Sequence, residues 1–95
     1  MAYSMGMDRE THNQEAEKNM TQKQEAEKFI TEAGIVWVQD RSSNGNLVRE
    51  YAEPAATAIK FQADAAVDVR MLSIDGKPYV SQQTSWGICR SVFAA

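Results

Sequence analysis

The sequence predicts a small α+β protein: a helical N-terminal arm, an antiparallel sheet and one central helix, in the order α-β-β-α-β-β-β. Three observations carry this. The ten-residue unit Thr-x-x-Gln-Glu-Ala-Glu-Lys-x-apolar occurs twice in tandem, over residues 11–20 and 21–30, and is polar and helix-prone. Two hairpin signals, Asn44-Gly45 and Asp75-Gly76, each lie between strand-like runs. An alanine-rich stretch after Pro54 separates the two hairpins. The chain therefore divides into an acidic helical arm, residues 1–33, and a strand-rich body, residues 34–95.

Within the arm, Thr21 and Gln24 form a capping-box pattern in which the hydroxyl and the Gln24 side chain each satisfy the other residue's backbone amide. Gln22, Ala26, Phe29, Ile30 and Ala33 then recur at helical spacing, and Gly34 stands where a left-handed residue ends a helix. This predicts a helix over about 21–33, docked by Phe29 and Ile30. Thr11 and Gln14 repeat the cap upstream, but only Ala16 and Met20 share a face there. A period of ten turns a helix through about 1000°, so equivalent positions drift by about 80° and no heptad seam can form.

Past Gly34, Ile35-Val36-Trp37-Val38 is apolar on both faces, as in a central strand. Folding about Asn44-Gly45, with both turn residues at positive φ, sets Asp40 opposite Arg49 and Val38 opposite Tyr51. The stretch from Pro54 to Ala66 fits strand alternation, but its six alanines and an N-terminal proline favour helix. Were it a strand, the body would be an all-β meander behind an N-terminal helix. Folding about Asp75-Gly76 pairs Met71 with Val80 and Leu72 with Tyr79. A polar turn at residues 82–85 precedes a last strand over about 86–93. Trp37, Met71, Val80, Trp86, Ile88 and Phe93 read as core, and Cys89 as a small buried hydrophobe.

Composition narrows the function. Up to Ala33 seven acids meet four bases, and from Gly34 onward six meet six, so the net charge of −3 comes from the arm. Phosphate binding needs clustered cations, which argues against direct nucleic-acid binding. One cysteine excludes an internal disulfide, and the N-terminus lacks the basic and apolar segments of a secretion signal. With no apolar run of spanning length, the expectation is a cytoplasmic protein that does not enter membranes.

No catalytic constellation is legible. The single histidine, His12, lies in the arm, no Gly-x-Ser-x-Gly elbow or phosphate-cradling glycine cluster occurs, and the arm acids are interleaved with lysines. Asp40-Arg41-Ser42-Ser43-Asn44-Gly45 imitates the start of a calcium loop, but its twelfth position is Tyr51, where a bidentate glutamate is required. The expectation is therefore no metal, no cofactor and no enzymatic activity.

Recognition of another macromolecule remains. Arg70, Leu72, Tyr79 and Ser81 share one face of the second hairpin, and Arg49 and Tyr51 share a face of the first. Arg and Tyr are favoured interface anchors, although ordinary cross-strand pairs would look the same. The acids Glu15, Glu17 and Glu25 would steer encounter with a basic partner.

The layout of Asn46-Leu-Val-Arg-Glu-Tyr51, a short alanine-rich helix, and Val69-Arg-Met-Leu-Ser-Ile-Asp-Gly-Lys-Pro-Tyr-Val80 resembles that of some phage-encoded anti-CRISPR proteins. The resemblance spans residues 34–95 and rests on organisation. It implies a small inhibitor that occupies the surface of a nucleic-acid-guided host defence complex in the host cytoplasm. The alternatives are a structural or assembly subunit that self-associates, as a homodimer for instance, and a sheet that binds single-stranded nucleic acid through Tyr51 and Tyr79.

Overall fold

The computed structural model describes residues 21–95. Within them the order is α1 (Gln22–Ala33), β1 (Ile35–Arg41), β2 (Leu47–Pro54), α2 (Ala55–Ala65), β3 (Ala66–Ile74), β4 (Lys77–Thr84) and β5 (Cys89–Ala94). The five strands form one antiparallel sheet in the order β2-β1-β5-β4-β3. This is the α+β arrangement the sequence predicts. The upstream cap at Thr11 and Gln14 lies outside the described residues.

The first helix begins on the expected reciprocal cap. The Gln24 amide donates to Thr21 Oγ1 at 3.1 Å, and the Thr21 amide donates to Gln24 Oε1 at 2.9 Å. It ends at Gly34, whose φ of 77° lets its N–H reach the Ile30 carbonyl. Ala26 and Ile30 are fully buried, with Phe29 and Ala33 packed beside them. Thus α1 docks on the sheet, and the compositional boundary at Gly34 does not interrupt the core. At its N-terminal end Gln22 Oε1 accepts the Met71 N–H of edge strand β3 at 2.7 Å.

Both hairpins keep their expected registers: Val38 faces Tyr51, Asp40 faces Arg49, Met71 faces Val80, and Leu72 faces Tyr79. The two turns differ. Asp75 and Gly76 both have positive φ, as a two-residue turn requires. In the first hairpin only Gly45 does, at 89°. There the Gly45 N–H bonds the Ser42 carbonyl, and the register slips by one residue beyond Asp40. The loop is a β-turn with a glycine bulge rather than the expected two-residue turn.

Alternation along the strands sends Val36, Val38, Val80 and Val92 to the face that both helices cover, where they meet Ala26, Ile30 and Ala58. The C-terminal region departs from expectation. β4 continues through Gln82 to Thr84, and the turn occupies residues 85–88. Trp86 therefore sits on the turn, 61% exposed, and is not core. Trp37 and Phe93 point to the opposite, helix-free face, while Met71 and Ile88 are half-buried. Of the six expected core residues, Val80 is the one that is fully buried. β1, apolar on both faces, lies inside the sheet between β2 and β5 as expected of a central strand, and both helices pack on one side of it.

Candidate functional site

Antiparallel pairing lines up residues in rows across the helix-free face. In the first row Leu72 pairs with Tyr79, Tyr79 stacks on Phe93 with ring centroids 5.0 Å apart, Phe93 pairs with Trp37, and Trp37 with Ala52. The second row runs Arg70, Ser81, Ser91, Gln39, Glu50, and the third Asp68, Gln83, Cys89, Arg41, Leu47. An apolar band of four large side chains thus crosses the whole sheet, bordered on one side by two largely polar rows. Ile35 and Ile74 extend the apolar side and are more than half exposed.

The polar border is internally bonded. Trp37 Nε1 and Gln39 Nε2 both donate to Glu50 Oε1 at 3.2 Å, and Arg41 donates to Gln39 Oε1 at 3.4 Å. Arg70 Nε donates to Asp68 Oδ2 at 3.2 Å. Within these rows two arginines are matched by two acids. Cys89 is half-buried with its sulfur 3.6 Å from Ser81 Oγ, less enclosed than expected of a core thiol.

The residues singled out in the sequence are distributed over both faces. Arg70, Leu72, Tyr79 and Ser81 lie together on the helix-free face. Arg49 and Tyr51 do not join them: they pair with Asp40 and Val38, whose side chains point under the helices, so alternation carries the partners to that same side. Glu25 is half-buried in the first turn of α1. Glu15 and Glu17 lie outside the described residues.

A buried polar cluster occupies one end of the helix-covered face. Arg90, 4% exposed, donates to both oxygens of Asp40 at 2.7 and 3.1 Å, and Arg49 adds a 2.8 Å contact. Phe61 from α2 lies under the Arg90 guanidinium, 3.6 Å from ring centroid to charge. Burial pushes the Asp40 carboxyl up, but hydrogen bonds and charge from Arg90 and Arg49 more than reverse this, leaving it below the usual value. Glu53, 3.8 Å from Arg90, is pushed up by burial, which the Arg90 charge offsets only in part. Gln62 is fully buried and bridges elements, donating to the Lys23 carbonyl of α1 at 3.1 Å and accepting from Gln82 at 3.1 Å. Glu53 Oε2 and Gln82 Oε1 have no hydrogen-bond partner among the described residues.

Sequence reasoning found the Asp40–Arg49 pair because a hairpin makes it local. It missed Arg90, Glu53, Gln62 and Gln82, whose partners come from distant strands and helices. One signal was present: Gln62 interrupts the apolar arc of a helix, as a buried group bonded across an interface would.

A recess of about 120 Å³ lies beside this cluster, between Val48, Arg49, Phe61, Trp86 and Ile88. Its lining holds two arginines, Arg49 and Arg90, and one carboxylate, Asp40, to which both are bonded. The Asp40 carboxylate, first position of the apparent calcium loop, is held by two arginines. Among the described residues no three acidic, histidine or cysteine side chains group as metal ligands, and no helix is long and apolar enough to cross a membrane.

Comparison with protein-family models, with curated proteins and with solved structures gives no match to the chain.

Proposed function

We propose that the chain is a non-enzymatic protein-binding module that receives a partner on the helix-free face of its sheet. The observation that carries this is the Leu72–Tyr79–Phe93–Trp37 band. Contiguous apolar surface with a bonded polar border is what a contact patch needs: a desolvated centre and a wet rim. Charge supports a protein partner over nucleic acid, because among the described residues the cations of this face are spread out, Arg70 bonded to Asp68 and Arg41 to Gln39, and form no cluster for phosphates.

The sharper form is an inhibitor that occludes the surface of a nucleic-acid-guided defence complex. Its support is the resemblance in organisation over residues 34–95 and the acidic arm, which suits a basic nucleoprotein partner. Self-association through the same face is the second reading, favoured by the opposite charges at the two ends of the Arg70–Glu50 row.

Capture from host lysate on the tethered chain, followed by kinetics with the purified partner, tests the module reading. Arg70→Ala and Tyr79→Ala are each expected to weaken binding about thirtyfold, near 2 kcal/mol, without unfolding the chain. Reversing Glu15, Glu17 and Glu25 should slow association more than it speeds dissociation. Parent-like binding by both sheet variants, with loss on arm reversal, would move the site to the arm.

A further inference from the structure

We infer that the occupant of the helix-free face is a second copy of this chain, packed sheet on sheet about a twofold axis running along β5. This rests on the reading of that face as a contact surface and names its partner.

The strand order makes β5 the centre of the sheet, with β4 and β3 to one side and β1 and β2 to the other. A twofold axis parallel to the strands and above β5 keeps every row at its own height and reverses it from side to side. Each row then meets itself backwards. In the apolar row Phe93 meets Phe93 of the other copy, Tyr79 meets Trp37, and Leu72 meets Ala52: large against large at the centre, large against small at the edge. In the polar row Ser91 meets Ser91, Ser81 meets Gln39, and Arg70 at one edge meets Glu50 at the other. Both ends of the row thus gain an opposite charge.

The alternative twofold, across the strands, keeps each strand over its own copy. Centred on the polar row, it would place Arg70 over Arg70 and Glu50 over Glu50. Centred on the apolar row, it would set Ile74 over Arg70 and Ile35 over Gln39. Like charges in contact are strongly disfavoured, and apolar side chains gain nothing over polar ones. The axis along β5 sets Asp68 against Leu47 and Gln83 against Arg41 in the third row, so what selects it is the two Arg70–Glu50 contacts. Aligned sheets pack in this way in sandwiches, about 10 Å apart and rotated by about 30°.

Size sets the strength. Five strands about 4.8 Å apart, over about six residues each, present on the order of 480 Å² in projection per copy. That is at the low end for specific interfaces and suits a concentration-dependent dimer, dissociating in the micromolar range. A host target binding the same face would compete with it.

The axis also makes a covalent prediction. Cys89 is on β5 and on the open face, so the two thiols lie either side of the axis, with backbones about 10 Å apart. That exceeds disulfide reach but falls within a short bismaleimide.

The test is sedimentation equilibrium of the full chain from about 1 to 300 μM, with two charge variants. Arg70→Glu makes both row ends acidic, and Glu50→Arg makes both basic, so each variant alone should dimerise about tenfold or more weakly than the parent. Mixed in equal amounts they should recover near-parental affinity, because the mixed pair restores both contacts. That recovery also shows both variants to be folded. Bismaleimide should link the parent through Cys89, and Cys89→Ser should abolish the product. A parent that stays monomeric throughout overturns the dimer; the contact face itself still stands if Tyr79→Ala weakens capture of another protein. A dimer indifferent to charge mixing and to Cys89 linkage overturns this face as its interface. Loss of neither self-association nor capture in Tyr79→Ala overturns the face altogether.

Discussion

Asp40 holds the buried Arg90 guanidinium through both carboxylate oxygens, where water has little access. Removing one member of a buried pair leaves the other charge uncompensated, which costs about 3–5 kcal/mol. Asp40→Asn should therefore lower stability by about that amount in urea unfolding, and an unchanged midpoint would show Arg90 reaching solvent. The two buried acids respond oppositely to pH. Asp40 sits below its ordinary value of 3.8, so its contribution is complete above that value and is lost as pH falls through its folded value. Glu53 sits above its ordinary 4.5, so the fold favours its protonated form and gains stability as pH falls from the raised value to 4.5. Glu53→Gln should accordingly be more stable than the parent at neutral pH, with the gap closing across that acid window. A constant gap from pH 7 to 4 would mean that Glu53 is not the titrating group.

The first hairpin owes its shape to one glycine. At Gly45 an added Cβ would meet nothing within 4 Å, so only the positive φ resists substitution. Gly45→Val is expected to cost about 1–3 kcal/mol through the backbone, while millimolar calcium leaves the melting temperature unchanged. A calcium-dependent rise would restore the loop as a metal site. In α1, Ile30→Ala should cost about 2–5 kcal/mol because Ile30 is fully enclosed; a melt near the parent's would place α1 off the sheet. The elements most legible in the sequence were those fixed within a few residues: the Thr21 cap, the Gly34 stop and the register of both hairpins. The insertion of β5 between β1 and β4 was not legible, because its pairing with β1 joins residues some fifty positions apart. Gln82 looks like turn because it is polar, whereas inside the core its amide nitrogen donates to Gln62. On the candidate site, the sequence grouped Arg70, Leu72, Tyr79 and Ser81 correctly by alternation. It could not add Trp37 and Phe93, which look like core because they are large and apolar, yet lie on the helix-free face.

As a whole the molecule has two unlike faces. One is closed by two helices over a valine core and a buried charge cluster. The other carries aromatic side chains with no element over them among the described residues. The two tryptophans divide between these faces: Trp37 belongs to the open band, and Trp86 stands edge-on to Phe61 on the helix side, with centroids 6.5 Å apart. Acrylamide quenching of the single-tryptophan variants Trp86→Phe and Trp37→Phe, followed as chain concentration or partner is raised, tests the central claim most directly. The account predicts that Trp37 emission becomes shielded and shifts to the blue on association, while Trp86 quenches as before. Shielding of Trp86 with Trp37 still open to quencher would contradict it and place the contact on the helix-covered side.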